Sequence, residues 1–262
     1  MYPELLRIGP IVVSSYGLFL ALAFLAGIYI AVRLAGRRGI DSDAVINISL
    51  VIMVSAIVGS RLLYVLTHLD EFRGRWLYTF LPLRPDGSIG LGGLILLGGV
   101  LGAVLAGSLY AWRKRLPYWP LADSIAPALA FGLFLGRIGC FLNGCCYGKT
   151  CNLPWGVKFP PESAATYIMG HQALHPTQLY SSGYALLIFA LLIWLEQSKP
   201  HDGLLSGVFL MLYGVARFSV DFFRYYESQM FLFGRLDLNQ LISIMLFCAG
   251  GLILYVRNRA QQ

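Results

Sequence analysis

The chain has 262 residues, of which 57% are hydrophobic and only 13% charged, and it carries a formal charge of +7. Soluble domains hold about 45–50% apolar and about 25% charged residues, and a mean hydropathy of +0.67 sets this chain apart from them. A large soluble domain is excluded, and the cations sit in short clusters between apolar runs, as orientation signals and anionic-lipid contacts do, so no nucleic acid partner is expected.

Seven apolar stretches are long enough to span a bilayer, which takes about 20 residues each. Residues 11–32 carry no charge, and the leader before them is barely basic, so the first stretch reads as a retained helix and not a cleaved signal. The second covers residues 44–66 and includes Arg61 and Tyr64. The third, residues 88–112, is rich in Gly and Ala, which let helices approach closely in lipid. The fourth runs over residues 121–137, the fifth over 176–195, the sixth over 203–223 and the seventh over 238–256. The expected fold is an all-α polytopic membrane protein with about seven transmembrane helices, residues 1–262 forming a single integral membrane domain. Its longest connections are residues 67–87 and 142–175.

Nine basic residues, Arg33, Arg37, Arg38, Arg113, Lys114, Arg115, Lys199, Arg257 and Arg259, lie on one side of this arrangement, and the other eleven lie opposite or near it. The raw count is balanced, but the nine form short clusters at helix ends, which carry the orientation signal. That side is read as cytoplasmic, with the N-terminus outside, the C-terminus inside and both long connections on the outer side.

The chemistry concentrates where charge meets membrane. Gly136-Arg137-Ile138-Gly139-Cys140-Phe141-Leu142-Asn143-Gly144-Cys145-Cys146-Tyr147-Gly148 follows an uncharged apolar segment. An arginine at such depth is costly and marks function, and a guanidinium beside glycine-exposed backbone suits a lipid phosphate. In the sixth span Tyr213, Arg217, Asp221 and Arg224 fall on one helical face. A structural salt bridge accounts for one pair there, while the surplus cation calls for an anion. Arg61 and Tyr64 either complete a basic pocket or snorkel to the interface, and Tyr16 by itself reads as an aromatic-belt residue. His175, just before Pro176, is the one histidine in a suggestive place.

Four cysteines, Cys140, Cys145, Cys146 and Cys151, fall within twelve residues, and Cys248 sits alone in the last span. Their spacing is not the paired C-x2-4-C of zinc sites. A disulfide from Cys151 to Cys145 or Cys146, inert thiols, and metal or redox chemistry all stay open, and neither a metal ligand set nor a cofactor is expected.

Taken together, Gly136-Arg-x-Gly-x-Phe-x-Asn-Gly-x-x-Tyr-Gly148, His175-Pro-Thr-Gln-Leu-Tyr180 and Tyr213-Gly-x-x-Arg-Phe-x-x-Asp-Phe-Phe-Arg224 resemble the prolipoprotein diacylglyceryl transferase family. Tyr16-Gly17, Gly59-Ser-Arg-Leu-Leu-Tyr64, the glycine pairs at 92–93 and 98–99, and Asn239-Gln240 extend the resemblance in order from first helix to last. It implies a bacterial inner-membrane enzyme with small periplasmic arm and head segments. Such an enzyme moves the diacylglyceryl group of phosphatidylglycerol to the lipobox cysteine of a prolipoprotein signal peptide, with release of glycerol phosphate. By this resemblance Arg137 and Arg217 stabilise the leaving phosphate. Asp221 holds Arg217 and Arg224, Asn143 and Gly148 shape the headgroup site, and Tyr16, Arg61 and Tyr213 line the cavity.

The chain departs from the family pattern at three places. Leu97 stands where many members have a His or Tyr proposed to activate the thiol, which leaves His175 as the candidate base, its ordinary pKa of about 6.5 suiting the task. Cys140 and Cys145 stand where Asn and an acid are common, and Asp221 stands for the more familiar Glu. The alternatives are a family-related lipid-binding or lipid-transporting membrane protein without transferase activity, and a redox or metal-binding membrane protein that uses the cysteine cluster.

Overall fold

The computed structural model describes residues 4–8, 11–72, 93–161, 163–198, 200–226, 231–232 and 236–259. Strands β1 (Glu4–Ile8) and β2 (Ile11–Ser14) pair antiparallel and lead into helix α1 (Ser15–Arg37). The first span was expected to be helical from residue 11; its first four residues are extended instead. Ile11, Val12 and Val13 are β-branched and favour pleated backbone. The helix starts where Ser14 can cap it, its Oγ accepting the Gly17 N–H at 3.1 Å.

Helix α2 (Ser42–Thr67) is capped by Asp41 and followed by the single turn α3 (Leu69–Phe72). Helices α4 (Leu96–Arg113) and α5 (Tyr118–Asn143) come next. Then β3 (Val157–Lys158), the short α6 (Ala164–Met169) and β4 (Ala173–Leu174) form a small head, with β3 and β4 antiparallel. Helices α7 (Thr177–Gln197) and α8 (Leu204–Asp221), the paired strands β5 (Phe231–Leu232) and β6 (Leu236–Asp237), and α9 (Leu238–Arg259) complete the chain.

Seven of these helices, all but α3 and α6, are long and apolar enough to cross a membrane. The protein is an all-α polytopic membrane protein. Leu25, Leu105 and Leu187 are 67%, 70% and 72% exposed, an outward apolar surface that lipid solvates and water would not. The third span is helical from Leu96. Residues 88–92, most of the expected outer segment 67–87, and Lys199 lie outside the described residues.

The chain divides into two compact units, one of Met1–Leu34 with Trp119–Gln262 and the other of Ala35–Tyr118. Within the second unit α2 and α4 approach through glycine: a Cβ on Gly59 would collide with the Gly98 carbonyl, and one on Gly102 with the Ser55 carbonyl. Small residues at the crossing replace the hydrophobic drive that helices lack in lipid with close van der Waals contact.

The first unit packs α5, α7 and α8 around Ala126, Ala130, Ile188, Leu192, Leu205 and Phe209. The close pairing of α8 with α9 uses Gly214, whose added Cβ would stand 2.6 Å from the Ser243 carbonyl. The N-terminus of α8 is fixed from another helix. The fully buried Asp123 of α5 accepts the Gly203 N–H at 2.7 Å, the Ser206 N–H at 2.9 Å and the Ser206 hydroxyl at 2.8 Å. A carboxylate satisfies orphan amides at a helix N-terminus and complements its dipole. Helix α1 meets α5 at Gly139, where an added Cβ would lie 2.8 Å from Phe19 Cβ and 3.5 Å from Tyr16 Cα.

Candidate functional site

That contact at Gly139 brings the start of α1 against the end of α5, where Arg137 sits half-buried. The Arg137 guanidinium lies within electrostatic range of Cys140 and Cys146 and of the Tyr184 and Tyr213 hydroxyls. It makes no hydrogen bond and no ion pair to any described residue. Tyr16 falls within range of Arg137 and of the three thiols of Cys140, Cys145 and Cys146. Helices α1, α5, α7 and α8 thus contribute to one polar constellation inside the first unit.

Arg217 differs from Arg137 in being held. Its Nη1 donates to Asp221 Oδ1 at 2.9 Å, and its Nη2 donates to the Tyr226 hydroxyl at 2.8 Å. The Tyr226 hydroxyl in turn donates to Asp221 Oδ1 at 2.5 Å, closing a triangle. Burial, and then the bond to Asp221, raises the Tyr226 phenol above its ordinary pKa, so it stays protonated and keeps donating. The pair is nearly sealed, with Arg217 12% and Asp221 3% exposed, so solvent screens it little. Helix α8 ends at Asp221, which puts Arg224 beyond the helix and off the face expected for it. Arg224 instead forms a backbone bridge with Gly148, stacks its guanidinium 5.2 Å from the Tyr226 ring, and leaves its buried Nε without a hydrogen-bond partner among the described residues.

Gly148 sits where three chain segments meet. Its N–H donates to the His175 carbonyl at 2.9 Å, and the next amide, Lys149, donates to the Phe223 carbonyl at 2.8 Å. A Cβ at Gly148 would stand 2.6 Å from both His175 Cβ and the Phe223 oxygen, so only glycine fits. His175 is placed beside this junction. Its Nδ1 is 3.1 Å from the Tyr180 hydroxyl, and its ring packs on Tyr180 and Phe223 at 6.1 and 5.1 Å between centroids.

The cysteine-bearing stretch is a helix C-terminus. Gly144, at φ +74°, is the left-handed residue that ends α5. Its N–H donates to Phe141 O, and the Cys145 N–H reaches back to Cys140 O, both at 3.2 Å. This is the Schellman pattern, and it folds Cys145 onto Cys140. Cys146 also takes a positive φ of 61°, unusual for a residue with a side chain. Two buried side chains of the His-Pro-Thr-Gln run hold the strained turn: Thr177 Oγ1 donates to Cys146 O at 2.9 Å, and Gln178 Nε2 donates to Cys145 O at 2.7 Å.

All five cysteines are free thiols. The disulfide considered from Cys151 is not formed; Cys151 is buried and its backbone pairs with Ala173. The sulfurs of Cys140, Cys145 and Cys146 converge instead, all within 4.8 Å of one another. Hydrogen bonds from the Cys140 and Cys145 thiols, with Arg224 and Arg137 close by, hold the Cys146 thiol well below its ordinary pKa.

Of the residues singled out in the sequence, Tyr16, Arg137, Tyr213, Arg217, Asp221 and Arg224 surround or support this constellation. Asn143 closes α5 next to the thiols, and Gly148 and His175 form the adjoining junction. Arg61 belongs to the other unit, where its Nη1 donates to Gly93 O at 3.4 Å and its guanidinium lies 5.3 Å from the Phe72 ring and 5.8 Å from that of Tyr64. Sequence reasoning missed Tyr226, Tyr184, Thr177 and Gln178. The last two stood inside a motif already quoted, whereas Tyr226 follows a helix end that periodicity set too late.

Residues 3–256 match the prolipoprotein diacylglyceryl transferase family. The chain belongs to that family. Its similar relatives include proteins named phosphatidylglycerol–prolipoprotein diacylglyceryl transferase from Nostoc sp., 35% identical over 98% of this chain and 90% of the relative. The one from Geobacter sulfurreducens is 34% identical over 95% of this chain and 92% of its own length. The one from Aeromonas hydrophila is 33% identical over 99% and 92%.

Proposed function

We propose that this protein transfers the diacylglyceryl group of phosphatidylglycerol to the lipobox cysteine thiol of prolipoprotein signal peptides. The C–O bond between a glyceryl carbon and the phosphate breaks, a C–S bond forms, and glycerol phosphate leaves. Negative charge builds on the departing phosphate, and a preorganised cation in a water-poor site is the most effective way to stabilise it. The observation that carries this reading is the half-buried Arg137, which has no hydrogen-bond or ion-pair partner among the described residues and is ringed by tyrosines. A cation left unpaired at membrane depth wants an anion, and phosphatidylglycerol supplies one among the membrane lipids.

In this reading Arg217 assists Arg137 as the second phosphate contact, and Asp221 and Tyr226 keep it aimed. Tyr16 and Tyr213 line the lipid cavity, and Asn143, Gly148 and Arg224 shape the headgroup site. His175 receives the thiol proton. The protein works in the bacterial inner membrane with its N-terminus outside, its C-terminus cytoplasmic and the head segment on the outer side, and it uses no nucleic acid.

The test is transfer by the purified, detergent-solubilised protein from radiolabelled phosphatidylglycerol to a lipobox peptide. The expected result is a labelled thioether product, lost in Arg137→Ala and Arg217→Ala proteins that still insert and elute as folded species. No product from the parent protein, or near-normal turnover in either variant, would overturn the assignment.

A further inference from the structure

The three converging thiols are not needed by that reaction, whose nucleophile is the substrate's own cysteine. We propose that Cys140, Cys145 and Cys146 form a three-thiolate site for one soft metal ion of the Zn(II) or Cu(I) class.

Geometry carries the proposal. The metal–sulfur distance is about 2.3 Å, so three sulfurs around one ion stand about 4 Å apart. The sulfurs here already lie within 4.8 Å of one another, so closing on an ion needs shifts below about 1 Å from that limit. The turn that presents them is rigid for reasons independent of the thiols: the Schellman bonds at Gly144, the positive φ of Cys146, and the clamps from Thr177 and Gln178 on the two cysteine carbonyls. Such a preset turn holds the sulfur ligands in place before an ion arrives, as the groups around a metal's ligands must. Cys145 and Cys146 are only half-buried, so the sulfurs are not simply core filling and an ion can reach them.

Charge agrees with geometry. Binding gathers three negative charges at the C-terminal end of α5, where the helix dipole is itself negative, and releases the proton of each sulfur that is not already a thiolate. Uncompensated thiolates would be unfavourable there, and a bound cation reverses the balance. With Zn(II) the site carries a net charge of −1 and with Cu(I) −2, and Arg137 and Arg224 both lie within electrostatic range of Cys146. Thiolate donors select soft ions over Mg(II) or Ca(II), and three ligands leave Zn(II) one open position or satisfy a three-coordinate Cu(I). The spacing C-x4-C-C hides the site from the usual pairwise pattern because the Schellman turn, and not a hairpin, brings the ligands together.

The experiment does not depend on transferase activity. Purified protein is titrated with Cd(II), whose thiolate charge-transfer absorption reports coordination. We expect saturation at one ion per chain, loss of the band in Cys145→Ser and Cys146→Ser, and an unchanged band in Cys248→Ser. In the parent protein, Zn(II) should slow maleimide modification of Cys145 and Cys146 at least tenfold while leaving the exposed Cys248 unaffected, as read by mass spectrometry. No saturable band in the parent protein, a band that survives both serine variants, or equal modification with and without Zn(II) would overturn the proposal. The modification experiment uses the unaltered chain, so it decides the matter even if a serine variant fails to fold.

Discussion

Replacing Asp221 by Asn tests the most specific geometric claim, that Arg217 is held by a closed triangle. Asp221 Oδ1 accepts both Arg217 Nη1 at 2.9 Å and the Tyr226 hydroxyl at 2.5 Å, and the pair is nearly sealed from solvent. Removing one partner of a buried pair costs about 3–5 kcal/mol, because the remaining charge is left uncompensated. Asparagine keeps an acceptor oxygen and so retains about 1 kcal/mol of hydrogen bonding, leaving a loss of about 2–4 kcal/mol. If all of it fell on the transfer step, the rate would drop about 30- to 700-fold, at about 1.4 kcal/mol per factor of ten. The assay is peptide lipidation by purified protein together with its thermal unfolding midpoint. The intact pair itself is close to break-even for stability, since desolvation offsets attraction. A double variant, Arg217→Met with Asp221→Leu, should therefore regain much of the lost stability and none of the transfer. An Asp221→Asn protein within about threefold of parental transfer and with an unchanged midpoint would refute the reasoning.

The other predictions follow from contacts of the same kind. Gly148→Ala places a Cβ 2.6 Å from His175 Cβ and from the Phe223 oxygen. Overpacking of this sort costs about 1–3 kcal/mol, so a lower unfolding midpoint and at least tenfold slower transfer are expected, and parental values for both would contradict the packing argument. Asp123→Ala strips three hydrogen bonds from the start of α8. Loss of the cap and unsatisfied amides costs about 2–4 kcal/mol, visible as a lower midpoint with transfer retained at low temperature; an unshifted midpoint would show that the cap does not hold α8. His175→Ala should slow transfer more than Leu97→Ala, because Leu97 is an exposed apolar residue without a titrating group; equal small effects would remove His175 from the reaction.

Much of the fold was legible because a bilayer reduces folding to a few rules. Backbone in hydrocarbon must bond to itself, so uncharged runs of sufficient length become helices, and all seven expected spans have their helix. The misreadings came at helix ends, where hydropathy has no resolving power. Residues 11–14 are as apolar as the helix they precede but are extended, and α8 stops at Asp221, so Arg224 is not on its face. The arginines were conspicuous by their setting, yet their roles were not. Asp221 was legible as a partner of Arg217, but the Tyr226 hydroxyl, brought back over Asp221 by the chain beyond α8, completes the triangle that fixes Arg217, whereas Arg137 makes no hydrogen bond or ion pair with any described residue.

The sequence by itself determined the membrane class, the helix number and the family, because composition and ordered motifs survive without knowledge of contacts. Tertiary structure alone decided which side chains meet. The cysteine spacing argued against a metal site, and it took a glycine-terminated helix end, clamped by Thr177 and Gln178, to draw three sulfurs into one cluster. Proximity across a turn is set by backbone dihedrals and by partners thirty residues away, and neither is written in local spacing.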